Sequence, residues 1–194
     1  YTQLMVNYKG SALNLNVTLP MNFYGMDYKD VLRNKDTETS KTVFEPSLWA
    51  SYDFASFWKI WAFGNLGYDF GSFGSVYDGF VLTNPRALGN RNSTLLPENR
   101  TLNATSRLEY RNPLNNLFFN IRYTYADFNK KIISATKRFE SGAATTSLVY
   151  EDNNSYSQSE GAEIGKYFPK FKTNASVTFT NRDSNSFSRL IDKN

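Results

Sequence analysis

The sequence predicts an all-β protein: an antiparallel up-and-down meander of about eight long strands, part of a transmembrane β-barrel. Three observations carry this. Apolar and polar residues alternate over runs longer than ordinary globular strands. Charges inside those runs keep to the face opposite the apolar series. The connectors alternate between short and long.

The first long run is LNLNVTLPMNF, residues 13–23. Leu13, Leu15, Val17, Leu19, Met21 and Phe23 share one face, while Asn14, Asn16, Thr18, Pro20 and Asn22 share the other. At roughly 3.3 Å per residue it spans about 36 Å, about twice the usual strand. A tilted strand crosses a bilayer in about 9–11 residues. The surplus predicts projection beyond the membrane in support of large loops, with the dry face on lipid and the wet face on a lumen.

The pattern recurs. Residues 44–54 align Pro46, Leu48, Ala50, Tyr52 and Phe54, and residues 58–71 align Ile60, Ala62, Leu66, Tyr68 and Phe70. Residues 101–110 align Leu102, Ala104, Leu108 and Tyr110. Residues 116–125 align Leu117, Phe119, Ile121, Tyr123 and Tyr125, and residues 172–180 align Thr173, Ala175, Val177 and Phe179. Glu45, Asp53, Lys59, Asp69, Arg107, Glu109, Arg122 and Glu163 all fall opposite these series, which leaves no charge on the lipid side. The wet face also carries Trp49, Trp61, Phe63 and Phe118. Helical spacing is sustained nowhere; the one stretch open to a short helical turn is 76–98.

Tight turns are expected at 8–12, 53–57, 111–116 and 166–171. Long loops are expected near 29–41 and 71–99, and residues 139–146 join two long polar strand extensions. Short turns on one side and large loops on the other are the plan of an outer-membrane barrel. With eight strands, both ends of residues 1–194 fall on the extracellular side. The chain then reads as a single partial-barrel segment cut from a larger barrel.

Composition narrows the function. The chain has neither Cys nor His, which excludes disulfides, thiol chemistry and His-based catalysis. No enzymatic constellation and no cofactor site is expected. The net charge of +4 is scattered without a basic block, so no nucleic-acid partner is expected. Aromatics reach 16% against a hydrophobic fraction of 40%, and Tyr and Phe cluster at strand ends, as membrane-interface girdles require.

Three stretches, FEPSLWASYDF, NPLNNLFFNIRYTYADFNKKI and GAEIGKYFPKFKTNASVTFTN, resemble the barrel of TonB-dependent outer-membrane receptors of the Bacteroidota type, which carry a carboxypeptidase-regulatory-like domain ahead of the plug. The resemblance implies a location in the bacterial outer membrane and a parent protein that takes up a large nutrient. It implies outer-membrane lipid as a partner, together with the plug domain and TonB system of the parent, and a surface lipoprotein as a further candidate. No plug-like or TonB-box segment is present in this sequence, and no family functional residue maps onto a matching motif.

Candidate contacts for an extracellular ligand are Tyr77, Asp78, Phe80, Arg86 and Arg91, with Arg100 near the strand mouth. The lumen-facing charges Arg107, Glu109, Arg122 and Glu163 are candidates for lining a substrate path; the simpler reading is that they pair with one another or with a plug. Asp53 and Asp69 form a nominal carboxylate couple that nothing places in one cleft. The rival reading is a soluble β-sandwich that holds carbohydrate on surface aromatics and buries its apolar faces against a second sheet. An eight-stranded piece has two open edges and an apolar surface, so the isolated chain is expected to close on itself or self-associate.

Overall fold

The computed structural model describes residues 1–31, 34–71, 78–84, 87–92, 97–138, 144–186 and 189–191. Its strands are β1 (Thr2–Lys9), β2 (Leu13–Asp30), β3 (Lys35–Phe44), β4 (Ser47–Ala55), β5 (Trp58–Asp69) and β6 (Asp78–Asn84). They continue with β7 (Ala87–Asn92), β8 (Asn99–Asn112), β9 (Leu117–Arg138), β10 (Ala144–Phe168), β11 (Thr173–Asn185) and β12 (Arg189–Ile191). All belong to one sheet. The protein is all-β, and its long strands form an antiparallel meander.

Eight strands carry that meander when β3 and β4 are taken as one. They are interrupted at Glu45–Pro46 because Pro46 has no N–H to donate. The ladder survives the break: Glu45 N–H donates to Pro20 O at 3.2 Å, and Leu66 N–H donates to Pro46 O at 2.9 Å. Below the proline β4 lies between β2 and β5; above it β3 stays with β2 and leaves β5. The sheet forks at this point.

The expected tight turns all lie at one end of the sheet. Gly10 N–H donates to Leu13 O at 2.7 Å, and a Cβ at Gly10 would press on the Tyr8 ring and Leu13 O. Ser56 and Phe57 link β4 to β5. Asn112 and Asn115 accept backbone N–H bonds two residues on, and Asn116 takes a left-handed φ of 57°. A 3₁₀ turn over Pro169–Phe171 precedes Lys172 at φ 49°.

The other end differs from the expectation. Lys29, Asp30 and residues 35–41 are strand where a loop was expected: β2 and β3 pair from Met21↔Phe44 to Asp30↔Lys35, an antiparallel hairpin. Period-two hydrophobicity fades there, but the backbone pairing continues without it. Inside 71–99, β6 and β7 form a hairpin where a long loop, or a helical turn, was open. β7 then runs parallel to the outer end of β10, and β12 runs parallel to β9 at Ala135–Lys137. The extensions of β9 and β10 are therefore flanked by strands from distant parts of the chain.

Among the described residues β1 pairs only with β2 and β11 only with β10, so the sheet is open at both edges. Among the described residues no second sheet packs on it. Among the described residues the buried hydrophobic side chains are accordingly few, Ile133 and Ala135, both in the outer extension. The accessible surface is 13556 Å². A compact monomer of 22.2 kDa exposes about 9,400 Å². A single sheet without a covering layer accounts for the excess.

Candidate functional site

Register sorts the side chains into two faces. On the dry face one cross-strand row runs Leu13, Tyr52, Ile60, Leu108, Ile121, Ala162 and Phe179, from β2 to β11. Most of these rings and branched chains are exposed, Phe179 to 63% and Val177 to 71%.

The outer limit of this apolar belt moves from strand to strand. It reaches Phe23 on β2 but stops at Leu102 on β8, where Arg100 follows. It stops at Tyr125 on β9, where Asp127 follows, and at Ala162 on β10, where Glu160 precedes. Leu102 is in register with Asp127, and Tyr123 with Glu160, so the limit steps inward along the sheet. Arg100 and Asp127 pair across it at 3.7 Å. Lys166 marks the inner limit on β10, its Nζ 5.7 Å from the Phe168 ring centroid. Charges do therefore occur on the dry side, contrary to the sequence reading, and each stands at an end of the belt.

Aromatic clusters flank the belt. Trp58 lies 4.8 Å from Tyr110 and 6.1 Å from Phe54 between ring centroids, at the tight-turn end. At the other end Tyr68 stacks on Phe70, and Tyr24, from the wet face of β2, lies 4.9 Å from Phe70 just past the end of β5.

The wet face gathers polar groups. Glu109 is the main acceptor: Arg107 Nε lies 3.0 Å away, an ion pair by distance without an aligned hydrogen bond, and Arg111 Nε lies at 3.5 Å. Trp61 Nε1–H donates to the same carboxylate at 3.3 Å. Arg107 stands directly opposite Arg122, so the pull of Glu109 relieves a like-charge contact. Glu163 accepts from Asn120 Nδ2 at 2.7 Å, its register partner, and is diagonal to Arg122. The four lumen charges predicted from sequence thus share one face, but they partition into an Arg107–Glu109 pair and a Glu163–Asn120 bond. Arg111 and the Trp61 indole were missed, because only the β5–β8–β9 register shows which groups Glu109 meets. A shallow cleft of about 270 Å³ beside this cluster is lined by Asp53, Phe57, Trp58, Lys59, Glu109 and Arg111. Asp53 pairs with Lys59 at 3.8 Å, whereas Asp69 lies at the opposite end of β5, so the two aspartates share no cleft.

Above the fork, Glu98 binds Lys41 from β3 and, at 3.2 Å, Lys131 from β9. These contacts tie the splayed β2–β3 hairpin to the rest of the sheet. The Lys41 hydrogen bond, with help from Lys131 and against partial burial, holds the Glu98 carboxyl below its ordinary range. Glu98 in turn raises Lys131, more than its partial burial lowers it.

Of the predicted mouth residues, Tyr77 and Arg86 lie outside the described residues. Asp78 and Phe80 fall on β6 and Arg91 on β7, where only the backbone is described. Comparison with family models, with curated proteins and with solved structures yields no match for this chain.

Proposed function

We propose that this chain forms part of the wall and extracellular mouth of an outer-membrane barrel, the nutrient receptor and transporter of a TonB-dependent system. The observation that carries the membrane part is the slant of the apolar belt. Followed through the register, the middle of the belt falls from Thr18 on β2 to Ser176 on β11, eight residues over six strand steps, or roughly one and a third residues per strand. At ~3.3 Å per residue and ~4.8 Å between strands this is a slant of about 40°, within the strand tilt of membrane barrels. A belt level with a bilayer must cross tilted strands in this way; an apolar face packed on a second sheet has no such requirement.

The spacing of the aromatic clusters supports the same reading. From Trp58 to Tyr68 β5 covers about 33 Å along its length, which that tilt projects to about 25 Å, the height of the apolar band in such barrels. Lipid then contacts Val17, Ile60, Ile121 and Phe179, while Arg107, Glu109, Arg122 and Glu163 face the lumen. Assignment to the TonB-dependent family, with its plug, TonB system and surface-lipoprotein partners, rests on the resemblance of the quoted strand-and-turn stretches.

Single cysteines test the membrane reading directly, since the chain has none of its own. An environment-sensitive dye on Ile121→Cys should shift to the blue in lipid vesicles and be quenched by brominated acyl chains. The same dye on Thr105→Cys should remain open to aqueous quencher. Equal behaviour of the two labels would remove the membrane assignment.

A further inference from the structure

Two prolines meet where the sheet forks. The pairs Thr18↔Ser47 and Met21↔Phe44 bracket Pro20 on β2 and Glu45–Pro46 between β3 and β4. At this level Glu45 N–H donates to Pro20 O at 3.2 Å. An antiparallel pair of this kind normally exchanges two bonds, and Pro20 has no N–H to return the second. Pro46 withholds its N–H from the β5 side in the same way, although its carbonyl still accepts from Leu66. The ladders on both sides of this strand are each one bond short at one level. Above that level β2 and β3 run in unbroken register from Met21↔Phe44 to Asp30↔Lys35. Among the described residues β1 accompanies β2 only to Met21, and β3 pairs with β2 alone.

One row of this paired segment reaches across the gap. Tyr24 and Lys41 are register partners. The Tyr24 ring lies 4.9 Å from that of Phe70, and Lys41 Nζ lies 5.7 Å from the same ring centroid. Lys41 also binds Glu98, the residue before β8. These are side-chain contacts where the body of the sheet has a backbone ladder, and partly exposed ion pairs and cation–ring contacts are individually weak. We infer that the paired β2–β3 segment is a hinged arm. It turns as one body about the line of Pro20, Glu45 and Pro46, and the Tyr24–Lys41 row latches it to Phe70 and Glu98. A ladder that is continuous above and below one depleted level bends at that level. From Pro20 to Asp27 the arm extends roughly 23 Å at ~3.3 Å per residue, so a swing of about 10° carries Asp27 about 4 Å. In the transport reading the arm stands at the outer end of the wall, and its swing sets the width of the mouth. The hinge itself stands whether or not that reading does.

The test uses the full chain in detergent, with nitroxides on Asp27→Cys and Ile121→Cys and their separation read by double electron–electron resonance. Lys41→Met with Phe70→Leu removes the latch. The distance distribution should then widen, or its mean should move by about 4 Å or more. Lys41→Arg, which keeps the cation, should hold the wild-type distance. Pro20→Val returns an N–H to the hinge line, and in the latch-free chain it should narrow the distribution again. A pair confined to β9 and the turn before it, Leu114→Cys with Ile121→Cys, should not change. Amide exchange at Met26 and Thr39, register partners within the arm, should stay slow, because a swing keeps the hairpin paired. An unchanged Asp27–Ile121 distribution, one that ignores Pro20→Val, fast exchange at Met26 and Thr39, or an equal change in the Leu114 pair would overturn the inference. The dye labels on Ile121 and Thr105 are read separately, so the arm and the membrane reading can each fail alone.

Discussion

The carboxylate of Glu45 accepts the backbone N–H of Tyr68 at 2.7 Å, in the place of a strand that has turned away. Leu66, two residues earlier, donates to the Pro46 carbonyl, and the next N–H on that edge of β5 would meet β3 if β3 had not followed β2. Glu45 also accepts from Tyr24 Oη at 3.1 Å and from Asn22, so one side chain closes the fork from both sides. Glu45→Ala should cost about 1–3 kcal/mol, the penalty of stranding polar groups that are partly shielded from water. Glu45→Gln, which keeps an acceptor, should cost less. Hydrogen exchange at the Tyr68 amide is the local check: it should accelerate in the alanine variant, with little change at Ala62.

Phe118 and Gly165 are register partners on β9 and β10, and the ring lies across the glycine. A Cβ at Gly165 would come within 2.7 and 2.9 Å of two ring carbons, and Gly165 is buried although it sits in an uncovered sheet. Gly165→Ala should force the ring off its seat at about 1–3 kcal/mol, the usual cost of overpacking. Phe118→Leu in the same background should recover part of it. Unfolding midpoints of the two single variants and the double variant in detergent measure the coupling.

The Glu98 bridge gives a pH signature. Its pKa is lower in the folded chain than in the unfolded one, so its contribution is fully present above the ordinary carboxylate value near 4.3 and is lost as pH falls through the lower folded value. Stability of the wild type relative to Glu98→Gln should be flat from about pH 7 to pH 5 and should shrink below about pH 4. Lys131 carries the opposite sign: its raised pKa contributes below about pH 10.4 and is lost above the folded value. Both lysines are partly exposed, so the total should be about 0.5–1 kcal/mol and smaller in high salt. Denaturant midpoints across pH for both chains decide it.

Open edges at β1 and β11, with the apolar belt between them, predict that the chain without detergent forms oligomers through those surfaces. Val177→Lys and Phe179→Lys together should raise the monomer fraction in plain buffer and weaken vesicle binding, since a lysine at mid-membrane costs about 2–4 kcal/mol. Light scattering with and without detergent follows the first, and co-sedimentation with vesicles the second. A wild-type monomer indifferent to detergent would contradict the prediction.

Residue alternation alone assigned Arg107, Glu109, Arg122 and Glu163 to one face and Leu13 through Phe23 to the other, because side-chain direction in a strand depends only on parity. The tight turns were legible for a similar reason, since Gly, Asn and Pro act on the backbone within a few residues. Pairing across strands was not local. Only the register set Glu109 among Arg107, Arg111 and Trp61, put Arg107 opposite Arg122, and showed the belt descending from Phe23 to Phe179. The hairpin at 29–41 was missed because backbone pairing there proceeds without an apolar face to announce it. The fork at Pro46 was written in the chain as a missing N–H, but which neighbour β3 would follow was decided by long-range pairing with β2, and that choice left Tyr68 to Glu45.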